Sequence, residues 1–244
     1  MSMILLILSA SQAATPYPYT DIQSRLEETN EFRALRKATD SPTIPQDAYK
    51  LAAKGKIATG VVGTGGSGPK KAWGVAVLPL SIETLWAGIN DEFANSDYSP
   101  VNHTAIVKGK RCEPHRTVVM VLPIPILSDR WWMIDLYTNT TLEEKSNQMV
   151  QELSWQEVSN PKQFSMDEET KSLTQGQVYI EFTRGAWYLT ALDESNTLGE
   201  YYTWADPGGY IPDAATTFAA SSIVETFEGM VRFTAENPNL KCLK

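Results

Sequence analysis

The second half of the sequence reads as a series of short strands followed by one long helix. Between residues 104 and 205, apolar and polar residues alternate with a period of two, and turn-rich segments separate the runs. The predicted strands are Thr104–Lys110, Arg116–Leu122, Arg130–Thr138, Ser146–Trp155, Gln177–Phe182, Gly185–Leu192 and Thr197–Ala205. Strands at this spacing pair as an antiparallel meander, in which each strand lies beside the next one in the chain.

A single long helix is predicted after these strands, from Ile211 to Ala235. Proline at position 212 is acceptable in a first helical turn, and Asn237-Pro238 stops the helix. Its apolar and small residues form one broad stripe: Ile211, Ala215, Phe218, Ala219, Ser222, Thr226 and Met230. This stripe must be buried, and the concave face of a curved antiparallel sheet is the surface available. The predicted fold class is therefore α+β, with the sheet wrapped around a C-terminal helix.

A glycine-rich segment, GTGGSGPKK (63–71), raises the question of a phosphate-binding loop. Its three separated glycines satisfy the dinucleotide-binding fingerprint. A dinucleotide loop must open a helix, however, whereas the run after this segment, Ala72–Leu78, alternates like a strand. Pro69 also occupies the position where a Walker loop needs lysine. The segment is therefore predicted to be the connection of a β-hairpin.

Three further helices are predicted before residue 96. They are Asp21–Lys37, Gln46–Lys54, and a third within Pro79–Asn95 that Ser81 caps. Gly55 suits the left-handed turn that ends the second one. Their apolar stripes are typical of helices that pack against a core, so they are assigned no chemistry.

Charge and cysteine content restrict the classes of partner. The formal net charge is -8, which argues against a nucleic-acid partner because such binding needs clustered lysine and arginine. Cys112 and Cys242 could form a disulfide, but they are equally consistent with two free thiols. The run Cys112-Glu-Pro-His115 supplies only two of the three or four ligands that a zinc site needs. No metal site and no cofactor are predicted.

The first residues are typical of a signal peptide. Met3–Ala10 is an apolar stretch, and the small residues up to Ala14 would suit a signal peptidase, although no lysine or arginine precedes the stretch. Export to the periplasm or outside the cell is therefore expected, or a cytoplasmic location if this segment is not a functional signal.

Two longer stretches carry a resemblance to a known family. LPIPILSDRWWMIDLYTN (122–139), FTRGAWYLTALDESNTLGEYYTWADPGGYIP (182–212) and the closing helix resemble the StAR-related lipid-transfer (START) family, and its bacterial members in particular. The resemblance extends from Gln46 to Glu236. It implies a helix-grip fold with an internal cavity for one lipid, closed by the C-terminal helix and by a lid at Pro123–Ser128.

The resemblance and the N-terminal pattern together suggest how the chain is divided. Residues 1–14 would be the signal peptide, 15–56 an N-terminal helical extension, 57–238 the START-like lipid-binding domain and 239–244 a tail. The expected partner is a lipid or other hydrophobic small molecule, with transient membrane contact during its exchange. The sequence does not identify protein partners.

Ten residues are predicted to bind the ligand. Strand alternation places Trp131, Met133, Asp135 and Tyr137 on one face and Trp132, Ile134 and Leu136 on the other, and the first set is predicted to form the cavity wall. The complete predicted set is Trp131, Met133, Asp135, Tyr137, Met149, Arg184, Ala215, Phe218, Ala219 and Ser222. If Asp135 were buried it would need a cationic partner, for which Arg184 is the candidate.

Three functions are compatible with these features. The favoured one is a non-enzymatic carrier or sensor of an apolar ligand, for which no catalytic residue is predicted. The second is a cyclase, dehydratase or hydrolase that uses the same cavity, with Asp135, Glu181 or His103 as its proton-transfer group. The third is an interaction module whose interior is filled by side chains. An open interior would count against the third.

Overall fold

The computed structural model describes residues 7–9, 13–63, 68–92, 94, 96–124, 127–208 and 215–243, with only the backbone course for 7–9 and 215–220. Within these residues the strands are β1 (Ile7–Ser9), β2 (Ile57–Val62), β3 (Lys71–Leu78), β4 (His103–Lys108), β5 (His115–Leu122), β6 (Arg130–Thr138), β7 (Val150–Glu157), β8 (Val178–Tyr179), β9 (Thr183–Ala191) and β10 (Thr197–Ala205). The α-helices are α1 (Tyr19–Glu28), α2 (Gln46–Ala52), α3 (Ile82–Ile89), α4 (Thr140–Lys145), α5 (Glu168–Thr174) and α6 (Ala215–Glu236).

The described strands form one curved sheet in the order β1-β2-β3-β10-β9-β7-β6-β5-β4, with antiparallel neighbours throughout. The predicted meander is confirmed for β4 to β7 and for β9 to β10. The exception is β8, which pairs in parallel with the first two residues of β6. The sheet brings β10 beside β3, so the N-terminal hairpin continues the sheet that the second half of the chain builds.

Several boundaries differ from the predictions: the strand predicted over Gln177–Phe182 is limited to Val178–Tyr179, and two other differences have clear local reasons. The predicted strand Ser146–Trp155 begins only at Val150, because the preceding residues form α4 and the turn that follows it. The side chain of Asn139 caps α4 by accepting a hydrogen bond from the Leu142 amide at 3.2 Å. The helix predicted over Asp21–Lys37 ends at Glu28 and continues as a 3-10 helix over Asn30–Leu35.

The glycine-rich segment joins β2 to β3 as a hairpin, as the sequence predicts. Val62 pairs with Lys71 at its open end, and residues 64–67 of the segment lie outside the described part of the chain. Gly55 has a φ of +70°, which confirms the left-handed turn after α2. Ser81 accepts a hydrogen bond from the Thr84 amide and so caps α3 as predicted.

The concave side of the sheet carries α3 and α6, which share the main apolar core with it. Ile223, Phe227 and Phe233 of α6 are almost fully buried there. A Cβ atom on Gly74 of β3 would lie 2.5 Å from Ile223 and 2.9 Å from Phe227. Glycine at this position therefore lets the helix approach the sheet closely.

The convex side is covered by the N-terminal residues. Ile22, Ala48 and Ala52 of α1 and α2 pack against Trp73 and neighbouring residues of β3 and β10 in a second apolar cluster. β1 lies within the segment predicted as a signal peptide and pairs with β2. No helix among the described residues is long and apolar enough to span a bilayer.

A disulfide joins Cys112 to Cys242, which are 130 positions apart in the sequence. It resolves the alternative left open by the sequence and ties the C-terminal tail to the β4–β5 connection. Because both sulfurs are used in this bond, Cys112 cannot serve as a thiolate metal ligand. Among the described residues, no cluster of three or more histidine, cysteine or acidic side chains is positioned to hold a metal ion.

Candidate functional site

A cavity of about 930 Å³ lies between the concave face of the sheet and α6. This volume is near the upper end of the range of roughly 300–1,000 Å³ that is usual for small-molecule sites. The strand side chains that line it include Met120, Trp132, Ile134, Leu153, Trp155 and Trp187. Transfer of an apolar ligand surface from water to such walls is favourable, so the cavity suits an apolar or amphipathic guest.

The long strand β6 supplies the central part of the wall. Arg130, Trp132, Ile134 and Leu136 alternate along one face of β6 and all line the cavity. Their partners on β5 are Leu122, Met120, Val118 and Arg116, in that order. Directly paired residues point to the same side of a sheet, so β5 and β6 together form one continuous wall.

Helix α6 lines the cavity with small and flexible side chains. Ser222, Thr226, Gly229 and Met230 line it, at the spacing of one helical face. A Cβ atom on Gly229 would lie 1.5 Å from the carbonyl oxygen of Tyr98. Glycine is therefore required where the helix meets the 3-10 turn Ser96–Tyr98.

The two ends of the cavity differ, and they are named here by their residues. Glu92 and Leu136 line the inner end, whereas Gly68, Lys70 and Leu127 line the other end. These last three are the solvent-exposed members of the described lining. That end is therefore the mouth.

A buried ion pair forms the polar boundary of the inner end. Arg116 donates from Nε to Oε1 of Glu92 at 2.6 Å, and a second hydrogen bond joins its Nη2 to Oε2 of Glu92. Its remaining contacts are with the carbonyl oxygens of Glu113 and Asn90 at 2.6 and 3.1 Å. The side-chain exposures are 0% for Arg116 and 6% for Glu92. Glu92 lines the cavity, so a ligand's polar group could reach this pair.

A second polar group faces the cavity from within an aromatic cluster. The ring of Tyr201 lies 5.6 Å from that of Trp155, 4.7 Å from that of Trp187 and 6.4 Å from that of Phe227. Burial raises the pKa of Tyr201 above its ordinary value, so the phenol is neutral. Its hydroxyl has no hydrogen-bond partner among the described residues and is available to a guest.

The structure places the predicted set on β6 outside the cavity. Met133 packs with Val119 and Val158 on the convex side of the strand. The ring of Trp131 lies 4.5 Å from that of Tyr179, and the ring of Tyr137 stacks on His115 at 4.4 Å. The cavity wall is formed by the alternate set of residues that begins at Trp132. The prediction that the face beginning at Trp131 lines the cavity is therefore corrected.

The predicted partnership of Asp135 and Arg184 is also corrected. Asp135 accepts a hydrogen bond from the Thr117 hydroxyl at 2.6 Å. Arg184 instead pairs with Glu157, through contacts of 3.0 and 3.2 Å. Neither residue lines the cavity, because both point to the convex side.

The other predicted residues are divided between the two sides. Met149 belongs to a convex-side cluster with Leu142 and Tyr188, whereas Ser222 lines the cavity. Helix α6 includes Ala215, Phe218 and Ala219, but their side chains are outside the described part. Two residues of the proposed lid, 125 and 126, are likewise outside it, whereas Ile124 and Leu127 line the cavity.

The proton-transfer groups considered for an enzyme do not reach the cavity. His103 contacts the Thr170 hydroxyl at 2.9 Å, and Glu181 is exposed. Neither of them lines the cavity, nor does Asp135. Three polar groups that do line it, Glu92, Tyr201 and Arg130, are absent from the predicted set. In the sequence, Arg116 and Arg130 each alternate with apolar residues. A charged residue in an otherwise apolar strand face was the signal that could have indicated the cavity wall.

Comparison with known proteins identifies the fold. No protein-family model and no curated protein matches the sequence. Human StAR-related lipid transfer protein 5 has a TM-score of 0.61 at 11% identity, covering 90% of this chain and 99% of that one. Human STARD10 has a TM-score of 0.60 at 12% identity, covering 88% of this chain and 81% of that one.

A bacterial structure of the same kind is also similar. A fragment of the STAR-related lipid transfer protein from Xanthomonas axonopodis has a TM-score of 0.54 at 20% identity, covering 74% of this chain and 92% of that one. At these identities the likeness concerns the fold. The chain has the helix-grip fold of START structures, which confirms the fold expected from the sequence resemblance.

Proposed function

We propose that this protein binds one molecule of a lipid or a similar apolar compound in its cavity and carries or senses it without changing it chemically. The observation that supports this proposal is a cavity of about 930 Å³ with tryptophan and aliphatic walls. The structures with the same fold include proteins named for lipid transfer. An interior filled by side chains, as an interaction module would have, does not agree with this volume.

The cavity suits a guest with a long apolar body. Along β6 the wall extends from Arg130 to Leu136, which is six residue steps or about 20 Å. The guest would lie along this wall under α6, with Tyr201 able to hydrogen-bond a group in its middle. The Glu92–Arg116 pair would meet a hydroxyl or carbonyl group at the inner end.

Exchange of the guest would take place at the mouth. Leu127 is 46% exposed there, and it lies in the connection between β5 and β6. We expect this leucine to contact a membrane surface transiently while the guest enters or leaves. Carrying and sensing differ in what happens next, and only a transfer assay between two populations of vesicles separates them.

The disulfide of this protein is consistent with export from the cytosol. A disulfide such as Cys112–Cys242 persists in oxidising compartments and is rare in the cytosol. This supports a periplasmic or extracellular location. Fractionation of the native host, with an antibody to the protein, tests it.

The carrier proposal is tested by mass spectrometry of natively purified protein. We expect a complex of one protein with one apolar compound, and organic extraction of the same sample should release that compound unchanged. If the protein is empty and also takes up no fatty acid, sterol or apolar dye, the proposal is wrong. Conversion of the bound compound into a product during incubation would indicate an enzyme instead.

A further inference from the structure

The mouth of the cavity contains a buried arginine that has no acidic partner among the residues that the structure describes. Arg130 is the first residue of β6, is only 3% exposed and lines the cavity. No aspartate or glutamate oxygen of the described residues lies within 4.0 Å of its guanidinium group. A buried positive charge without a counter-charge is costly, so a missing anion is the first thing to look for.

The contacts that Arg130 does make are with backbone carbonyl groups. Its Nε donates to the Pro207 oxygen at 2.8 Å, its Nη2 donates to the Gly208 oxygen at 3.4 Å, and its Nη1 donates to the Ser128 oxygen. A guanidinium group has five N–H donors. Three of them are used in this way, so one N–H on each terminal nitrogen has no acceptor within the described part of the chain. Carbonyl oxygens fix the group in place but do not neutralise its charge.

Two other arginines, each paired with a buried carboxylate, show what a partnered group looks like in this fold. Arg116, at the inner end, makes two hydrogen bonds to the carboxylate of Glu92. Arg33 on the convex side likewise makes two to Glu200. Arg130 is almost as deeply buried as Arg116, but its partners in the described ranges are all carbonyl oxygens. The difference is that Arg130 faces the open end of a cavity.

The surroundings of Arg130 favour an anion that is attached to an apolar body. Lys70 adds a second positive charge at the mouth, where it lines the cavity and is exposed. Leu122 lies opposite Arg130 on β5, and Trp132 is the next wall residue inward. Asp129 and Asp206 lie in the two loops next to Arg130. Their carboxylates accept hydrogen bonds from backbone amides, Asp129 from that of Ile124 and Asp206 from that of Gly208.

From these observations we infer that Arg130 is an anion site at the mouth, which binds the carboxylate or phosphate end of an amphipathic guest while its apolar body lies along β6. The two free N–H groups match the two oxygens of such an end. The carbonyl contacts hold the guanidinium in position before the guest arrives, which lowers the entropic cost of binding. This inference rests on the proposed carrier function and adds to it the chemical class of the guest.

The test compares ligands with the same sixteen-carbon chain and different ends. Hexadecanoate, hexadecyl phosphate, hexadecanol and hexadecyltrimethylammonium are titrated into the delipidated full-length protein by calorimetry, each below its micelle concentration. We expect at least one of the two anions to bind about tenfold or more tightly than hexadecanol, since a hydrogen-bonded charge is worth that much. The anion that binds more tightly identifies the end group. We expect hexadecyltrimethylammonium to bind more weakly than hexadecanol.

The outcomes separate this inference from the carrier function. Equal affinity for hexadecanol and both anions would overturn the anion site and leave the carrier function intact. If none of the compounds binds, the anion site is wrong, and the native mass spectrometry described above decides the carrier function separately. Inorganic phosphate without a chain should not displace the bound anion, and displacement by it would show a site for free anions instead.

Variants assign the effect to Arg130. In Arg130→Gln we expect the preference for the anion to disappear while the affinity for hexadecanol is retained. Arg25→Gln is the matched control, because Arg25 also donates to a backbone carbonyl, that of Leu192 at 3.1 Å, but on the convex side. It should keep the preference. If Arg130→Gln does not fold, the comparison of ligands on the natural protein decides the question alone.

Discussion

The Nε atom of Arg116 lies 2.6 Å from Oε1 of Glu92, and this contact joins β5 to the segment after α3 beneath the inner end of the cavity. Both side chains are excluded from bulk solvent. A buried ion pair of this kind is costly to break from one side only, because the remaining charge is left without a partner. It therefore positions the inner end and makes that end sensitive to single substitutions.

Glu92→Gln should lower the free energy of unfolding by about 3–5 kcal/mol, measured by urea denaturation of the ligand-free protein. The substitution leaves the charge of Arg116 buried with only carbonyl oxygens and a neutral amide. The double variant Glu92→Leu with Arg116→Met is the control. It removes both charges and should recover most of the loss. If Glu92→Gln costs less than about 1 kcal/mol, water must reach the pair and the inner end is not closed.

Filling the cavity should reduce binding without unfolding the protein. Thr226 faces the cavity from α6, and its hydroxyl donates to the Ser222 carbonyl oxygen of the preceding turn. Thr226→Phe would place a ring in the space of the guest. We expect the fraction of protein that co-purifies with an apolar compound to fall several-fold in native mass spectra. The melting temperature should change little, since the ring occupies existing space.

The matched control is Thr226→Val, which has nearly the same shape as threonine and should bind normally. Equal occupancy in the phenylalanine variant would place the guest elsewhere. The interpretation of the cavity as the binding site would then be wrong.

The disulfide should contribute to stability through the unfolded chain. Cys112 and Cys242 close a loop with a sequence separation of 130 residues, for which the chain-entropy relation gives about 5 kcal/mol. Removed native disulfides typically cost about 2–5 kcal/mol. Cys112→Ser with Cys242→Ser should therefore lower the urea midpoint markedly.

The same bond bears on how α6 moves. Cys242 follows this helix by only a few residues, and its sulfur lies 3.5 Å from the Asn90 carbonyl oxygen that Arg116 also contacts. In hydrogen exchange, the last turns of α6 should lose protection in the double serine variant. Unchanged exchange there would mean that the packing of Phe233 and Leu240 alone holds the tail.

The order of elements could be predicted because the pattern of apolar residues changes period along the chain. Strands such as Arg130–Thr138 and Thr197–Ala205 match the structure at both ends. The parallel pairing of β8 with β6 could not be predicted, since it depends on a two-residue contact between segments far apart in the sequence. A two-residue contact is too short for the apolar pattern to specify its register.

The cavity face of β6 could not be chosen from alternation, because both faces of the strand are largely apolar. The face that begins at Trp131 is itself covered: Met133 is 1% exposed and packs against Val158, while Phe164 and Met166 lie against the same cluster. A sheet covered on both sides gives no polar face to mark the outside. The charges at Arg116 and Arg130, each in line with apolar wall residues, were the better indicator.

The N-terminal residues are bound to the sheet by an ion pair that makes stability depend on pH. Glu200 of β10 is 4% exposed, and it accepts hydrogen bonds from Arg33 and, at 3.0 Å, from the hydroxyl of Tyr49. Burial opposes ionisation of Glu200, but the charge and hydrogen bonds of Arg33 outweigh it and lower the pKa of Glu200 below its ordinary 4.5.

A carboxyl group whose pKa is lower in the folded state stabilises the protein above its unfolded pKa, and that stabilisation is lost as the pH falls. For Glu200 the loss should begin near pH 4.5 and continue below it. Glu200→Gln should be less stable than the natural protein at pH 7 by about 2–4 kcal/mol, and the difference should shrink as the pH is lowered through this window. Urea denaturation at several pH values measures it.

Glu28→Gln is the matched control, because Glu28 also pairs with an arginine, Arg25, but its side chain is 57% exposed. It should change the free energy of unfolding by no more than about 0.5 kcal/mol. A constant difference between Glu200→Gln and the natural protein from pH 7 to pH 3 would contradict the lowered pKa. The contribution of Glu200 would then be packing of its side chain against the N-terminal residues rather than its charge.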